Sequence, residues 1–179
     1  MAVQRALQAD VPILGFAAYS GTGKTTTLKK LLPHLTAAGL RIGMIKHSHH
    51  KVEIDKPGKD SYELRKAGAC QMVLAAHKCW ALMVEKAEPN EPILQEMVDA
   101  LHQEQLDLIL VEGFRHEAFP KIELHRPVMG RPVLYAEDSS IIAVATDDVL
   151  PVETTLTLLD INDTPALASF VLNYVEQHS

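Results

Sequence analysis

Short, almost wholly apolar runs alternate along this chain with longer stretches in which apolar residues recur every three or four positions. The run ILGFAAY (13–19) stands before a glycine-rich turn and predicts a buried strand. Residues 24–38 follow with Leu28, Leu31, Leu32 and Leu35 at helical spacing; Pro33 is expected to bend that helix and Gly39 to end it. LRIGMIKH (40–47) predicts the next strand, and 48–59 a polar loop. DSYELRKAGA (60–69) opens with Asp60 and carries Glu63 three positions later, which predicts a capping-box start with Gly68 as the stop. Residues 70–76 and 79–86 predict two strands of an antiparallel hairpin. An amphipathic helix is expected over 91–105, then strands at 106–114, 121–127, 141–148 and 155–163, and a closing helix at 164–177. Alternation of strand and helix predicts an α/β fold: a mostly parallel sheet flanked by helices. The whole chain, 1–179, is expected to be a single domain, with the inserted β-hairpin 70–86 as its dimerisation arm.

Composition narrows the class. The chain has 179 residues, 47% of them apolar and 22% charged, with a formal net charge of −6. That balance argues against a nucleic-acid or anionic-membrane partner. Its two cysteines, Cys70 and Cys79, form no metal-ligand spacing and are expected to be reduced. No apolar run approaches the roughly 20 residues of a membrane helix, and MAVQRALQAD is too short and polar for a signal peptide. A cytoplasmic protein is expected.

The chemistry concentrates in AAYSGTGKTTTLKKLL (17–32). Gly23, Lys24 and Thr25 complete the pattern G-x-x-x-x-G-K-[ST], with Ala18 in place of the first glycine. Small residues let backbone N–H groups curl around a phosphate, and the following helix offers the positive end of its dipole. Ser20, Gly21, Thr22, Gly23, Lys24, Thr25 and Thr26 are therefore the candidate phosphate-binding residues, which makes the expected sheet one of P-loop NTPase type and residues 1–179 a single P-loop nucleotide-binding domain. Lys24 is expected to reach the outer phosphates and Thr25 to ligate Mg2+. Glu112 ends the apolar strand LDLILVEGF, at the edge where open α/β sheets bind ligands, and is expected to act with Lys24 in catalysis and to hold the metal. Asp107, at the strand's other end, is a poor competitor. Asp60 is the second carboxylate candidate for the metal, either as a helix cap or as an acceptor for a Mg2+-bound water. Lys46 stands where it can neutralise phosphate charge, and His47, His49 and His50 follow it as solvated loop residues or phosphate contacts. Lys56 and Lys59 flank a Pro-Gly turn that is either a plain surface turn or a closing loop. The guanine signature N-K-x-D is absent; Asp147 or Asp148 after one strand, or the DIND run (160–163) after another, are candidate base readers. The residues alone leave ATP and GTP open. No water-positioning Gln and no arginine finger stand in the motifs, so hydrolysis is expected to be slow; Arg115 is a candidate to assist in trans.

SGTGKTT, IKHSHH, DKPGKDSYELRKAGA, LDLILVEGF and LLDIND together make the chain closely resemble the molybdopterin-guanine dinucleotide biosynthesis protein B family over residues 13–175. The block 55–69 is far more specific than the phosphate loop. The resemblance implies a GTP- and Mg2+-binding homodimer with weak GTPase activity. It implies an adaptor role beside the guanylyltransferase that attaches GMP to molybdopterin, with molybdopterin itself a further candidate ligand. The chain is also similar to dethiobiotin synthetase at two spots, where an Asp opening a helix and a VEG strand end hold Mg2+; that likeness points to Asp60 and Glu112. It also leaves open a second reading, a self-sufficient ATP-dependent small-molecule kinase or ligase. A structural dimer with a vestigial phosphate loop is the third.

Overall fold

The structure, a computed structural model, describes residues 7–48, 55–88 and 90–179. It divides into two compact units, one running to His47 and resuming at Ile93–Ser179, the other Ser48–Pro92.

The first unit is built on six parallel strands: β1 (Ile13–Ala17), β2 (Ile42–Lys46), β5 (Leu108–Glu112), β6 (Lys121–His125), β7 (Ile141–Thr146) and β8 (Thr157–Asp160), in the spatial order β2-β5-β1-β6-β7-β8. The central strands β1 and β5 are buried at every position, which is why both read as continuous apolar runs. Helices α1 (Lys24–Ala37) and α4 (Thr164–His178) cover one face, packing Leu28, Leu31, Leu35, Leu167 and Val171 onto Leu14, Phe16, Leu110 and Ile122. Helix α3 (Leu94–Asp99) covers the other with Leu94 and Val98 against Ile13, Ile45, Ile109 and Val111.

Local chemistry explains the ends of α1 and α4. Helix α1 runs through Pro33 because Leu35, fully buried, anchors the last turn and outweighs the missing backbone bond. It closes with a Schellman arrangement, Gly39 N–H to Thr36 O at 3.0 Å and Leu40 N–H to Leu35 O at 3.2 Å. Asp163 caps α4 by accepting from the Ala166 N–H at 2.9 Å.

The helix expected over 91–105 is corrected to α3 alone plus a 3-10 turn at Gln103–Gln105. The Gln103 side-chain amide and the Leu101 N–H both take the Val98 carbonyl, at 3.2 and 3.1 Å, so the helical ladder stops there. Leu101 and Leu106 fold over Gly43 of β2, where a Cβ would stand 3.1 and 2.6 Å from their methyls. That packing turns the chain back into β5.

The second unit holds α2 (Asp60–Lys66) and the antiparallel hairpin β3 (Gln71–Ala75) and β4 (Trp80–Val84). Arg65 ties it together with ion pairs to Asp55 and Glu85. Among the described residues no helix is long and apolar enough to cross a membrane.

Candidate functional site

The phosphate loop leaves β1 at the carboxyl edge of the sheet and enters α1 at Lys24. Two positions need left-handed backbone, Gly21 at φ +86° and Gly23 at φ +97°, and glycine takes that conformation without steric cost. The Thr22 hydroxyl donates to the Tyr19 carbonyl at 2.9 Å and closes the curl. Gly23 occupies the N-cap position with no side-chain cap bond, so no side chain competes for the first-turn N–H groups that an oxyanion would use. Ser20, Gly21, Thr25 and Thr26 are exposed on this loop and first turn.

Lys24 is half-buried and its Nζ donates to the Ala18 carbonyl at 3.4 Å. Burial lowers its proton affinity most; the neighbouring cations Lys46 and Arg115 lower it further, and Glu112 opposes them. An anion beside it would favour the charged amine.

Glu112 ends β5 in register with Phe16 of β1 and Lys46 of β2. Its side chain is only 10% exposed, and its Oε1 accepts from Lys46 Nζ at 2.8 Å and from the Thr25 hydroxyl at 3.4 Å. The fold thus brings Lys24, Thr25, Lys46 and Glu112 to one spot on the carboxyl edge. A threonine hydroxyl beside a buried carboxylate is a hard-oxygen donor pair, which fits Mg2+ and not a thiophilic metal. The next turn is tight: Gly113 sits at φ +100°, Phe114 at φ +50°, and a Cβ on Gly113 would stand 2.6 Å from that of His47. The His47 N–H donates to the Glu112 carbonyl at 2.8 Å and its ring lies 4.9 Å from that of Phe114. Asp107, at the strand's opposite end, is spent on Arg41 (2.8 Å), whose guanidinium and backbone N–H hold its carboxyl down at about 2.

Asp147 stands just beyond β7 and forms an ion pair with Arg126. The same guanidinium donates to the Thr22 carbonyl of the phosphate loop at 3.0 Å and to Asn162 Oδ1 at 3.5 Å. Arg126 was not foreseen. It joins the phosphate loop to both segments named as candidate base readers, and its only sequence signal is a basic residue directly after a strand on the ligand edge. Asp148 instead accepts from the Val149 N–H at 2.7 Å.

Asp60 belongs to the second unit. It occupies the first helical position of α2, while Lys59 takes the cap position and no side chain makes the capping bond, which corrects the expected capping box. The half that survives is Glu63, whose carboxylate accepts from the Gly58 N–H at 3.1 Å. Lys56, Lys59, Asp60 and Ser61 line a cavity of about 440 Å3 with Asp55 and Leu74. His49 and His50 lie outside the described residues.

The family model described as "MobB: Molybdopterin guanine dinucleotide synthesis protein B" matches residues 13–147. A "Molybdopterin-guanine dinucleotide biosynthesis adapter protein" of Escherichia coli (strain K12) is 51% identical over 170 residues, 94% of this chain and 96% of that one. One of the same description from Haemophilus influenzae is 45% identical, over 93% of this chain and 90% of that one. "The Crystal structure of Bacillus subtilis MobB" shares the fold, with a TM-score of 0.70, 23% identity and coverage of 91% and 97%.

Proposed function

This chain belongs to the molybdopterin guanine dinucleotide synthesis protein B family, and from that premise we propose that it is an adapter in molybdopterin guanine dinucleotide synthesis which binds GTP with Mg2+ and hydrolyses it slowly. The observation that carries the nucleotide reading is the junction of Lys24, Thr25 and Lys46 on the single carboxylate Glu112. Ser20, Gly21, Thr22, Gly23 and Thr26 present the loop amides and hydroxyls to the phosphates. Lys24 and Lys46 balance the polyphosphate charge. Thr25 and Glu112 are the residues that would hold Mg2+, which would supply positive charge beside the phosphates. Asp147, aimed by Arg126, reads the base: a carboxylate accepts from the paired N–H donors of guanine, and adenine lacks that pair. Turnover is slow because the motifs contain no water-positioning Gln.

Residues 1–179 act as one nucleotide-binding domain carrying 48–92 as an insertion. The protein works in the cytoplasm as a homodimer beside the guanylyltransferase, with molybdopterin as a further ligand. The hairpin supports the dimer: Val73, Trp80, Leu82 and Val84 share one face, each 44–59% exposed, and a two-stranded hairpin needs a cover for such a face. Titration with fluorescent GTP and ATP analogues, with and without Mg2+, tests the nucleotide reading. GTP is expected to bind at least tenfold tighter; equal affinities refute the base assignment.

A further inference from the structure

Charge is spread unevenly along this chain. Residues 132–179 carry eight Asp and Glu and no Lys or Arg, so against a net charge of −6 for the whole chain the other residues sum to +2. The acid-only stretch builds β7, β8 and α4, at the outer end of the sheet. Asp138 pairs with Lys121 and Asp147 with Arg126. Among the described residues Glu137, Asp148, Glu153, Asp160, Asp163 and Glu176 meet no Lys or Arg. A surface of one sign selects partners of the other.

The same region ends in an open strand. β8 is the last strand of the sheet, and TLLD carries neither Lys nor Pro, two residues that commonly block an edge. The Ile161 N–H donates to the Thr146 carbonyl at 3.0 Å. By the two-residue period of a strand, Thr157 and Leu159 then bond toward β7, and Leu158 and Asp160 turn their backbone groups outward. The Asp163 N–H takes the Asp160 carbonyl at 3.1 Å. The edge therefore offers the N–H and carbonyl of Leu158 and the N–H of Asp160. The Leu158 side chain, 55% exposed, stands in register with buried Val144 and through it with Glu123, on the face away from α1 and α4. Just before β8, Tyr135, Ala136, Val152, Glu153, Thr154 and Thr155 line an open hollow of about 470 Å3. Glu123 fixes its wall by accepting from the Tyr135 N–H at 2.9 Å, and the Tyr135 hydroxyl donates to the Val152 carbonyl. The one charged side chain in that lining is Glu153.

We propose that β8 is a docking edge for a partner protein, which lays an extended basic segment beside it as a seventh strand. Backbone bonds to Leu158 and Asp160 hold the segment, an apolar side chain covers Leu158, and a Lys or Arg enters the hollow toward Glu153. A second copy of this chain does not fit there, because its own β8 brings the same acids and no Lys or Arg from 132–179 to meet them. Docking at this edge uses no group of the phosphate loop and stands apart from the nucleotide reading.

Fluorescence anisotropy of labelled peptides titrated with the full chain tests the edge. The probes are Lys-Val-Lys-Val-Lys-Val, the same peptide N-methylated at every backbone nitrogen, and Glu-Val-Glu-Val-Glu-Val. Methylation keeps the charge and removes the donors, so the first peptide is expected to bind about tenfold tighter than the second, the worth of one or two net hydrogen bonds. The acidic peptide is expected not to bind. Leu158→Lys, at an exposed position, is expected to keep its circular dichroism and weaken the first peptide about tenfold. Hydrogen exchange in the native protein is expected to slow at the amides of Leu158 and Asp160 when that peptide is bound, a readout that needs no variant. No binding of the basic peptide overturns the docking edge. Equal affinity for the methylated copy reduces it to charge alone and overturns the added strand. Undiminished affinity in folded Leu158→Lys, or unchanged exchange at both amides, places the peptide elsewhere and overturns it too.

Discussion

Replacing Glu112 with Gln removes one charge and keeps the shape, so it isolates what the carboxylate does. In the native site one oxygen, Oε1, takes both the Lys46 ammonium at 2.8 Å and the Thr25 hydroxyl at 3.4 Å, in a side chain 10% exposed. The amide can still accept from Thr25, but it no longer pairs with Lys46 and no longer attracts a divalent cation. A charge-assisted hydrogen bond contributes about 1.5–3 kcal/mol, which converts to a loss of roughly 10- to 150-fold in apparent Mg2+ affinity of the nucleotide complex. Lys46 is half-exposed and turns to solvent or to phosphate once released, so the fold survives with a modest fall in melting temperature. Released from its partner, Lys46 also strengthens nucleotide binding without metal. The expected result is therefore two-signed: in EDTA the variant binds fluorescent GTP as well as the native protein or better, and the Mg2+ enhancement largely disappears. The assay is a GTP titration repeated across a Mg2+ series, with circular dichroism as the folding check. An unchanged Mg2+ dependence in a folded variant refutes the assignment of this carboxylate, and a loss in EDTA equal to that in Mg2+ refutes its separation from the phosphate contacts.

Lys24→Ala is expected to keep the fold and lose about 3 kcal/mol of triphosphate binding, roughly 100-fold, in the same titration; undiminished affinity returns the loop to a vestigial role. Gly113→Ala forces a side chain into φ +100° and to 2.6 Å from the His47 Cβ. The strain and overpacking together are expected to cost about 2–4 kcal/mol, a fall in melting temperature of roughly 5–15 °C; a shift below about 2 °C contradicts the geometry. Asp107 has its folded carboxyl held at about 2 against an ordinary 3.8, so its contribution is present above about pH 4 and is lost as pH falls toward 2. Between those pH values the melting temperature of Asp107→Asn is expected to fall less steeply than that of the native protein, and parallel curves refute the pairing with Arg41. Leu82→Asp on the exposed hairpin face is expected to shift the protein from dimer to monomer in light scattering, without loss of GTP binding; an unchanged mass rejects the hairpin as the dimer arm.

Features governed by neighbours in the chain were legible from the sequence. Gly21, Gly23 and Lys24 announce a loop before a helix because only glycine takes the left-handed turns cheaply, and the candidate phosphate contacts, 20–26, include those three residues. β5 was legible because a strand covered on both faces must be apolar throughout, which made Glu112 conspicuous at its end. Features that depend on distant partners were not. The helix at 91–105 kept its apolar spacing on paper but was cut at Asp99, because Leu101 and Leu106 are needed to cover Gly43, which lies about 60 residues earlier. β6 reads as a strand either way, and nothing in KIELH says that Lys121, Glu123 and His125 are all buried; that follows from where the backbone of Leu134 and Tyr135 and the carboxylate of Asp138 come to lie. Arg126 is the clearest case, since its bonds reach Thr22, Asp147 and Asn162, from three separate segments. Period and turn chemistry determine which elements form and where a phosphate can be held; side chains that bridge elements become visible only once the sheet order has placed those elements side by side.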